Sequence, residues 1–262
     1  MTPSPLKRSD SYLRWHLAVC SRDWWAGMLC LMLLLLGSAA VSPPMRSLWL
    51  AISRMGGLTH ELTPLPPPGL FDSLQSVGVV AIGHAEGNMT VTGEPTGYYW
   101  GHKDPGNFRR NQGWCSDQGR GGGDVDLANQ KCLERVQMRL ALIETDLHAA
   151  QLNPQTQPLV LLNAVDLYNQ ASPWVSRQFP QAYQAAQAQG MTGEQAMVWA
   201  RVEAFRRRGK IDALGLIGIC RREGRGVSAW DCVAADQRRR IRAIDRVWQQ
   251  SGLTAAAQSP NR

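Results

Sequence analysis

The chain contains no Cys-x-x-Cys pair, although it has six cysteines. That absence removes the chelating knuckle on which four-cysteine zinc sites are commonly built. Charge is also scarce. Charged residues make up 19% of the 262, a low share for a freely soluble protein, and none lies between Trp24 and Val41. No internal repeat is present, which leaves one domain rather than an array. No nucleic-acid-binding motif accompanies the basic clusters, and no motif implies a cofactor.

What is present begins with that uncharged run. Its length of about 18 residues spans roughly 27 Å as a helix, close to the hydrocarbon thickness of a bilayer. Lys7, Arg8, Arg14 and Arg22 precede it, with Trp15, Trp24 and Trp25 at the expected interface. A basic flank stays in the cytoplasm, so the bulk of the chain is expected outside it. Ser38-Ala39-Ala40 offers a signal-peptidase site. Two outcomes stand: an inner-membrane anchor carrying a periplasmic domain, or secretion to the periplasm.

The cysteines agree with export. Beyond the hydrophobic segment lie Cys115, Cys132, Cys220 and Cys232. Of their possible pairings, Cys115–Cys132 and Cys220–Cys232 are the most local, and an oxidising compartment would allow both.

Beyond residue 40 the chain has 24 basic and 19 acidic residues, a net charge of +5. The basic ones concentrate late, at Arg206–Arg208, Arg221–Arg222, Arg238–Arg240 and Arg242. With export expected, an anionic wall polymer or a membrane surface suits these clusters better than nucleic acid. Solvated helix faces are the plainer explanation.

Composition divides the chain. Residues 1–23 form a basic cytoplasmic segment and 24–41 the apolar run. Residues 42–69 hold Pro43-Pro44 and Pro64-Leu65-Pro66-Pro67-Pro68, which favour a semi-rigid polyproline stalk. The folded domain is expected over 70–252 and a frayed tail over 253–262. Within the domain, Phe71 to Ala85 reads as a central helix, apolar on most sides. Residues 89–100 suggest a β-hairpin, and the glycine-rich stretch 101–124 a long loop. Asp124 then caps a helix to about residue 151, with apolar residues at 127, 133, 136, 140, 143 and 147. Further helices are expected over 157–170, 173–189 and 193–208. A last one runs from the Ser228–Asp231 capping box to about residue 250. The reading is a mainly α domain with a small hairpin near its start.

The chemistry concentrates between Ile82 and Asn107. Glu86 follows a run of Val, Ala and Ile, and Gly87 would end the helix there. A carboxyl group so placed is expected to be partly desolvated and to serve as a general acid. Glu94 and Asp104 are candidates for a second carboxylate. Tyr98, Tyr99, Trp100 and Trp114 offer faces for sugar rings. Asn88, Thr90, Thr92, His102 and Asn107 offer hydrogen bonds. A rival reading takes His84, Glu86, His102 and Asp104 as a metal set for a cell-wall peptidase or amidase. It would need His84 and Glu86 on a strand, where residues two apart share a face. A third reading is a non-catalytic, membrane-tethered wall binder or scaffold.

An apolar helix ending in Glu86-Gly87, followed by Gly97-Tyr98-Tyr99 and Gly101-His102, resembles phage-type muramidases of the lysozyme-like superfamily. The resemblance covers about Val77 to Asp104, with the helical remainder in outline. It implies a lysozyme-like helical domain, a glutamate acid at Glu86, and peptidoglycan glycan strands as the substrate. Glu94 stands where that family has an aspartate in the hairpin, and Trp100 where it has a threonine. The Gly101–Asn107 segment also resembles one found in uncharacterised cyanobacterial exported proteins.

Overall fold

A computed structural model describes residues 69–224 and 228–253. The expected segments 1–23 and 24–41, the stalk up to residue 68 and the tail beyond 253 lie outside the described residues. The described part is mainly helical, with two small antiparallel hairpins. No helix among the described residues is long and apolar enough to cross a membrane.

The first helix, α1 (Val77–Glu86), is buried around most of its circumference. Gly78, Val79, Ala81, Ile82, Gly83 and Ala85 all lie inside. It packs against α3 (Pro158–Gln170) and α7 (Ala229–Gln250). Gly78 lets the preceding turn fold back onto the helix: a Cβ there would stand 2.4 Å from the Leu70 carbonyl oxygen and 2.6 Å from the Phe71 ring. The helix begins at Val77 rather than Phe71. Side chains in the preceding turn take the backbone donors instead, as Ser76 Oγ accepts from Ser73 N at 2.9 Å. Short hydroxyl side chains compete with helix in this way.

The expected hairpin over 89–100 is displaced. Met89 and Pro95 share a single bridge, and Gly97–Trp100 is a short 3-10 turn. The ladder falls inside the expected loop, where β1 (His102–Lys103) pairs with β2 (Arg110–Asn111). The glycine-rich stretch beyond it turns several times before α2 (Val125–Ala149). Asp124 caps α2 by accepting from Leu127 N at 2.9 Å.

Helix α4 spans Pro173–Ala188, with Pro173 in its first turn, and α5 spans Gly193–Glu203. The expected continuation of α5 to residue 208 is replaced by a second hairpin, β3 (Arg206–Arg207) with β4 (Lys210–Ile211). Arg208 and Gly209 both have positive φ, 50° and 79°, the geometry of a tight two-residue hairpin turn. Helix α6 (Leu214–Arg222) was not anticipated. The capping box opens α7 as expected: Ser228 Oγ accepts from Asp231 N, and Ser228 N donates back to the Asp231 carboxylate.

Both local disulfides form. Cys115–Cys132 ties the loop to α2 with Cα atoms 6.2 Å apart, and Cys220–Cys232 ties α6 to α7 at 5.5 Å. The first has a sequence separation of 17 residues. Replacing Cys115 and Cys132 together by Ala should cost about 3 kcal/mol, mostly by freeing the unfolded chain. Urea unfolding of the oxidised wild type and the double variant measures it; equal midpoints and slopes would show that the bridge contributes nothing.

Candidate functional site

The site is built where α1 ends. Gly87 adopts φ 83°, which reverses the chain at the helix terminus. The next residue, Asn88, is fully buried. Its amide donates to Gly113 O at 2.8 Å, Trp114 O at 3.3 Å and Ser116 Oγ at 3.0 Å. The 113–116 turn is thereby fastened to the end of α1. Asp117 closes the same loop from inside, accepting from Gln112 N, Gly119 N and Gly121 N. Asn129 of α2 completes the mounting by accepting from Trp114 N at 3.0 Å.

Glu86 lies at the centre of this assembly, with 14% of its side chain exposed. Its Oε1 accepts from Arg240 of α7 at 2.5 Å and from Asn169 of α3 at 2.9 Å. Its Oε2 accepts from Ser116 Oγ at 3.2 Å. Because Asn88 donates to that same Ser116 oxygen, the hydroxyl hydrogen is directed at Glu86. The apolar surroundings expected from sequence are corrected here. The partners of Glu86 are polar, all are donors, and one is a guanidinium.

Arg240 continues the network inward. It also binds Asp166 through Nε at 2.9 Å and Nη2 at 2.7 Å. Asp166 in turn accepts from Arg201 at 2.6 Å, and both side chains are fully buried. Gln237 Oε1 and the Asn163 oxygens take further Arg201 donors. Burial by itself would push the Asp166 carboxyl up. The charges and hydrogen bonds of Arg240 and Arg201 outweigh it and hold the group at about 2. Burial likewise opposes the charge on Arg240, but Asp166 and Glu86 outweigh it and raise that group well above its ordinary range. Arg201 is lowered because burial dominates there, though a guanidinium stays charged through any shift of this kind.

No family model, curated protein or solved structure matches this chain. The site is therefore read from its own geometry.

The residues expected from sequence are only partly gathered. Asp104 serves the hairpin: its Oδ1 accepts from Gly106 N at 2.6 Å and Asn107 N at 3.0 Å. Glu94 is exposed in its own turn. Among the described residues, no hydrogen bond or ion pair joins either to Glu86. The carboxylate that is coupled to Glu86, through Arg240, is Asp166, and it has no exposed surface. Trp114 is corrected from sugar platform to core residue. It is 1% exposed, and its indole N–H donates to Asn129 O. Asn88 is likewise structural, and Asn107 holds the loop through Gln118 and Arg109 N. Tyr99 is half-buried with its hydroxyl accepting from Asn129. Tyr98 and Trp100 remain open, each 62% exposed.

The metal set is not assembled. His84 and Glu86 are helical, and His84 Nδ1 lies 3.0 Å from Met89 O. His102 Nδ1 lies 2.9 Å from Tyr98 O. Among the described residues, no group of three or more His, Cys, Asp or Glu side chains is placed to hold a metal ion.

Ser116, Asn169 and Asp166 were not singled out from sequence, and Arg240 was read only as part of the basic run Arg238–Arg240. A signal existed for Asp166, a carboxylate inside the apolar run 159–167. None existed for Ser116, which reaches Glu86 from 30 residues away.

Asp166 supplies a pH dependence. Its folded value of about 2 lies below its ordinary 3.8, so its stabilisation is fully present above about pH 4. That stabilisation is lost as the pH falls from about 4 through 2, and it should amount to about 2 kcal/mol. Asp166→Asn leaves two buried guanidinium groups short of an anion and should cost about 3–5 kcal/mol at neutral pH. Chemical denaturation from pH 7 to 2 tests both. An unchanged midpoint in Asp166→Asn at pH 7 would refute the network's importance.

Proposed function

We propose that this chain is an extracytoplasmic protein that cleaves the glycan strands of peptidoglycan, with Glu86 as the reacting carboxylate of a lysozyme-like helical domain. One observation carries the reading. A partly exposed carboxylate ends a buried helix and is held in one orientation by side chains from α3, α7 and the 113–116 turn. Fixing a reacting group before the substrate arrives removes reorganisation from the barrier.

The two oxygens differ in availability. Oε1 is occupied by Arg240 and Asn169, whereas Oε2 has only the longer contact to Ser116. Oε2 is the atom we assign to the glycosidic oxygen. To act as general acid, Glu86 must first take up a proton from solvent at Oε2, against donors that favour its carboxylate. It then protonates the glycosidic oxygen while the anomeric C–O bond breaks and the leaving sugar departs as an alcohol. As the resulting carboxylate, it takes a proton from the group that attacks the anomeric carbon. That group is water in a hydrolase, or a hydroxyl of the same sugar in a lytic transglycosylase. Neither route requires a second carboxylate at the reacting carbon, which suits a site where Asp104 braces the hairpin and Glu94 is exposed in its own turn. Tyr98 and Trp100 supply open rings for stacking. They follow Thr96, whose hydroxyl donates to Gly87 O at 2.8 Å beside the carboxylate.

Location is part of the proposal. Residues 24–41 serve as a membrane anchor or a signal segment, 42–69 as the stalk, and the domain lies in the periplasm. Two disulfides support an oxidising compartment.

A specific observation favours a second reading. The Arg240 contact at 2.5 Å ties Glu86 into a buried network with Asp166, as a purely structural carboxylate would be. The chain would then be a tethered wall-binding protein without activity.

A zymogram of the full chain against purified murein separates the two. Under the first reading wild type clears the gel and Glu86→Gln, assayed well below its own unfolding temperature, clears at least about 100-fold less. Retention on murein without clearing by wild type would establish the second.

A further inference from the structure

The tip of the β1–β2 hairpin carries three features that stability alone would not select. Phe108 has φ 61°, in the left-handed region where a bulky side chain is strained. Its ring is 67% exposed, so packing does not offset that strain. Lys103 and Arg110 stand directly opposite each other in the ladder, and like charges in that position repel. Neither has an ion-pair partner among the described residues. The carboxylate that lies between them in sequence, Asp104, is used up by Gly106 N, Asn107 N and the Asn111 amide.

The same tip is firmly braced. Phe108 N donates to Asp104 O, and Asp104 N to Arg109 O. Asn107 bonds Gln118 at 2.9 Å, and Arg222 of α6 donates to Pro105 O at 3.0 Å. A strained aromatic held this firmly is presented, not left over. Lys103 lies 5.6 Å from its ring centroid. Phe108, Lys103, Arg110, His102 and the bare backbone of Gly101 line one shallow depression.

We propose that this depression binds an anionic saccharide. One sugar ring lies with its C–H face on Phe108, and its carboxylate or phosphate lies between Lys103 and Arg110. Cations with no carboxylate partner among the described residues call for an acid even where one of them, Lys103, stands over the Phe108 ring, and a flat ring in a concavity calls for a flat partner. A lipid surface would instead favour several apolar side chains projecting together from a convex face. Glu86 does not line this depression and the binding involves no bond making, so a binding test is read apart from the glycosidase reading.

The test uses the full chain and binding alone, with immobilised polygalacturonate as probe, neutral dextran as control, and phosphatidylglycerol vesicles as the lipid alternative. Wild type should be retained on polygalacturonate and not on dextran. Phe108→Gly should weaken that retention about tenfold while leaving the unfolding temperature unchanged or higher, since glycine accepts the backbone angle freely. The double variant Lys103→Gln, Arg110→Gln should weaken it at least as much and flatten its salt dependence. Four results would each overturn the proposal: no retention on polygalacturonate, equal retention on dextran, binding confined to vesicles, or a Phe108→Gly variant that binds normally. A marked fall in the unfolding temperature of Phe108→Gly would also overturn it, by assigning the ring a packing role.

Discussion

The buried ion network centred on Asp166 is the constraint on which the rest of this domain depends. A fully buried carboxylate between two guanidinium groups admits few arrangements. Arg201 must reach it from α5 and Arg240 from α7, while Asp166 itself sits on α3. Helix positions are therefore set by charge geometry as well as by apolar packing. Such a network adds little net stability over a hydrophobic equivalent, but removing one member is costly because its partners stay buried and charged. Its value lies in specifying one packing of three helices. Glu86 is the outermost member, and its orientation is inherited from that interior.

A second layer converts this interior into a site. The loop between the first hairpin and α2 has no regular structure to hold it, so side chains do the holding. Asn88, Asp117 and Asn129 each satisfy backbone groups of that loop, and the Cys115–Cys132 bridge ties it covalently to α2. Ser116 and the Cys115 carbonyl are thereby delivered to Glu86 and Asn169. A buried irregular loop is tolerable only when its backbone groups are paired, and these residues supply part of that pairing.

Much of this was legible in the chain. Capping chemistry marked the ends of α2 and α7, because Asp124 and Ser228–Asp231 act within a few residues of themselves. Gly87 marked the end of α1 for the same local reason. Proximity in sequence favoured the local disulfide pairing, and the fold chose it. Legibility failed where partners were distant. Arg240 looked like part of a solvated run, since Arg238, Arg239 and Arg242 around it face outward. Its own position, three residues after buried Gln237, turns it inward. Trp114 looked like an open aromatic, because nothing nearby in sequence showed that α2 would cover it. The first hairpin was misplaced because a ladder of two residues per strand carries almost no alternation to read.

The sequence by itself determined the helical class, most helix boundaries and the placement of a glutamate at the end of an apolar helix, and it left the disulfide pairing open with the local one simplest. These depend on period, caps, glycine and short loops, all local properties of the covalent chain. Tertiary structure alone decided what surrounds that glutamate. It replaced an apolar pocket with donors from three distant segments, buried Trp114, turned Asp104 into a loop brace and raised Phe108 at the hairpin tip. Each of those outcomes depends on which surfaces meet after folding. Contacts across 30 to 154 residues are encoded in the packing of the whole core, so no window of sequence contains them.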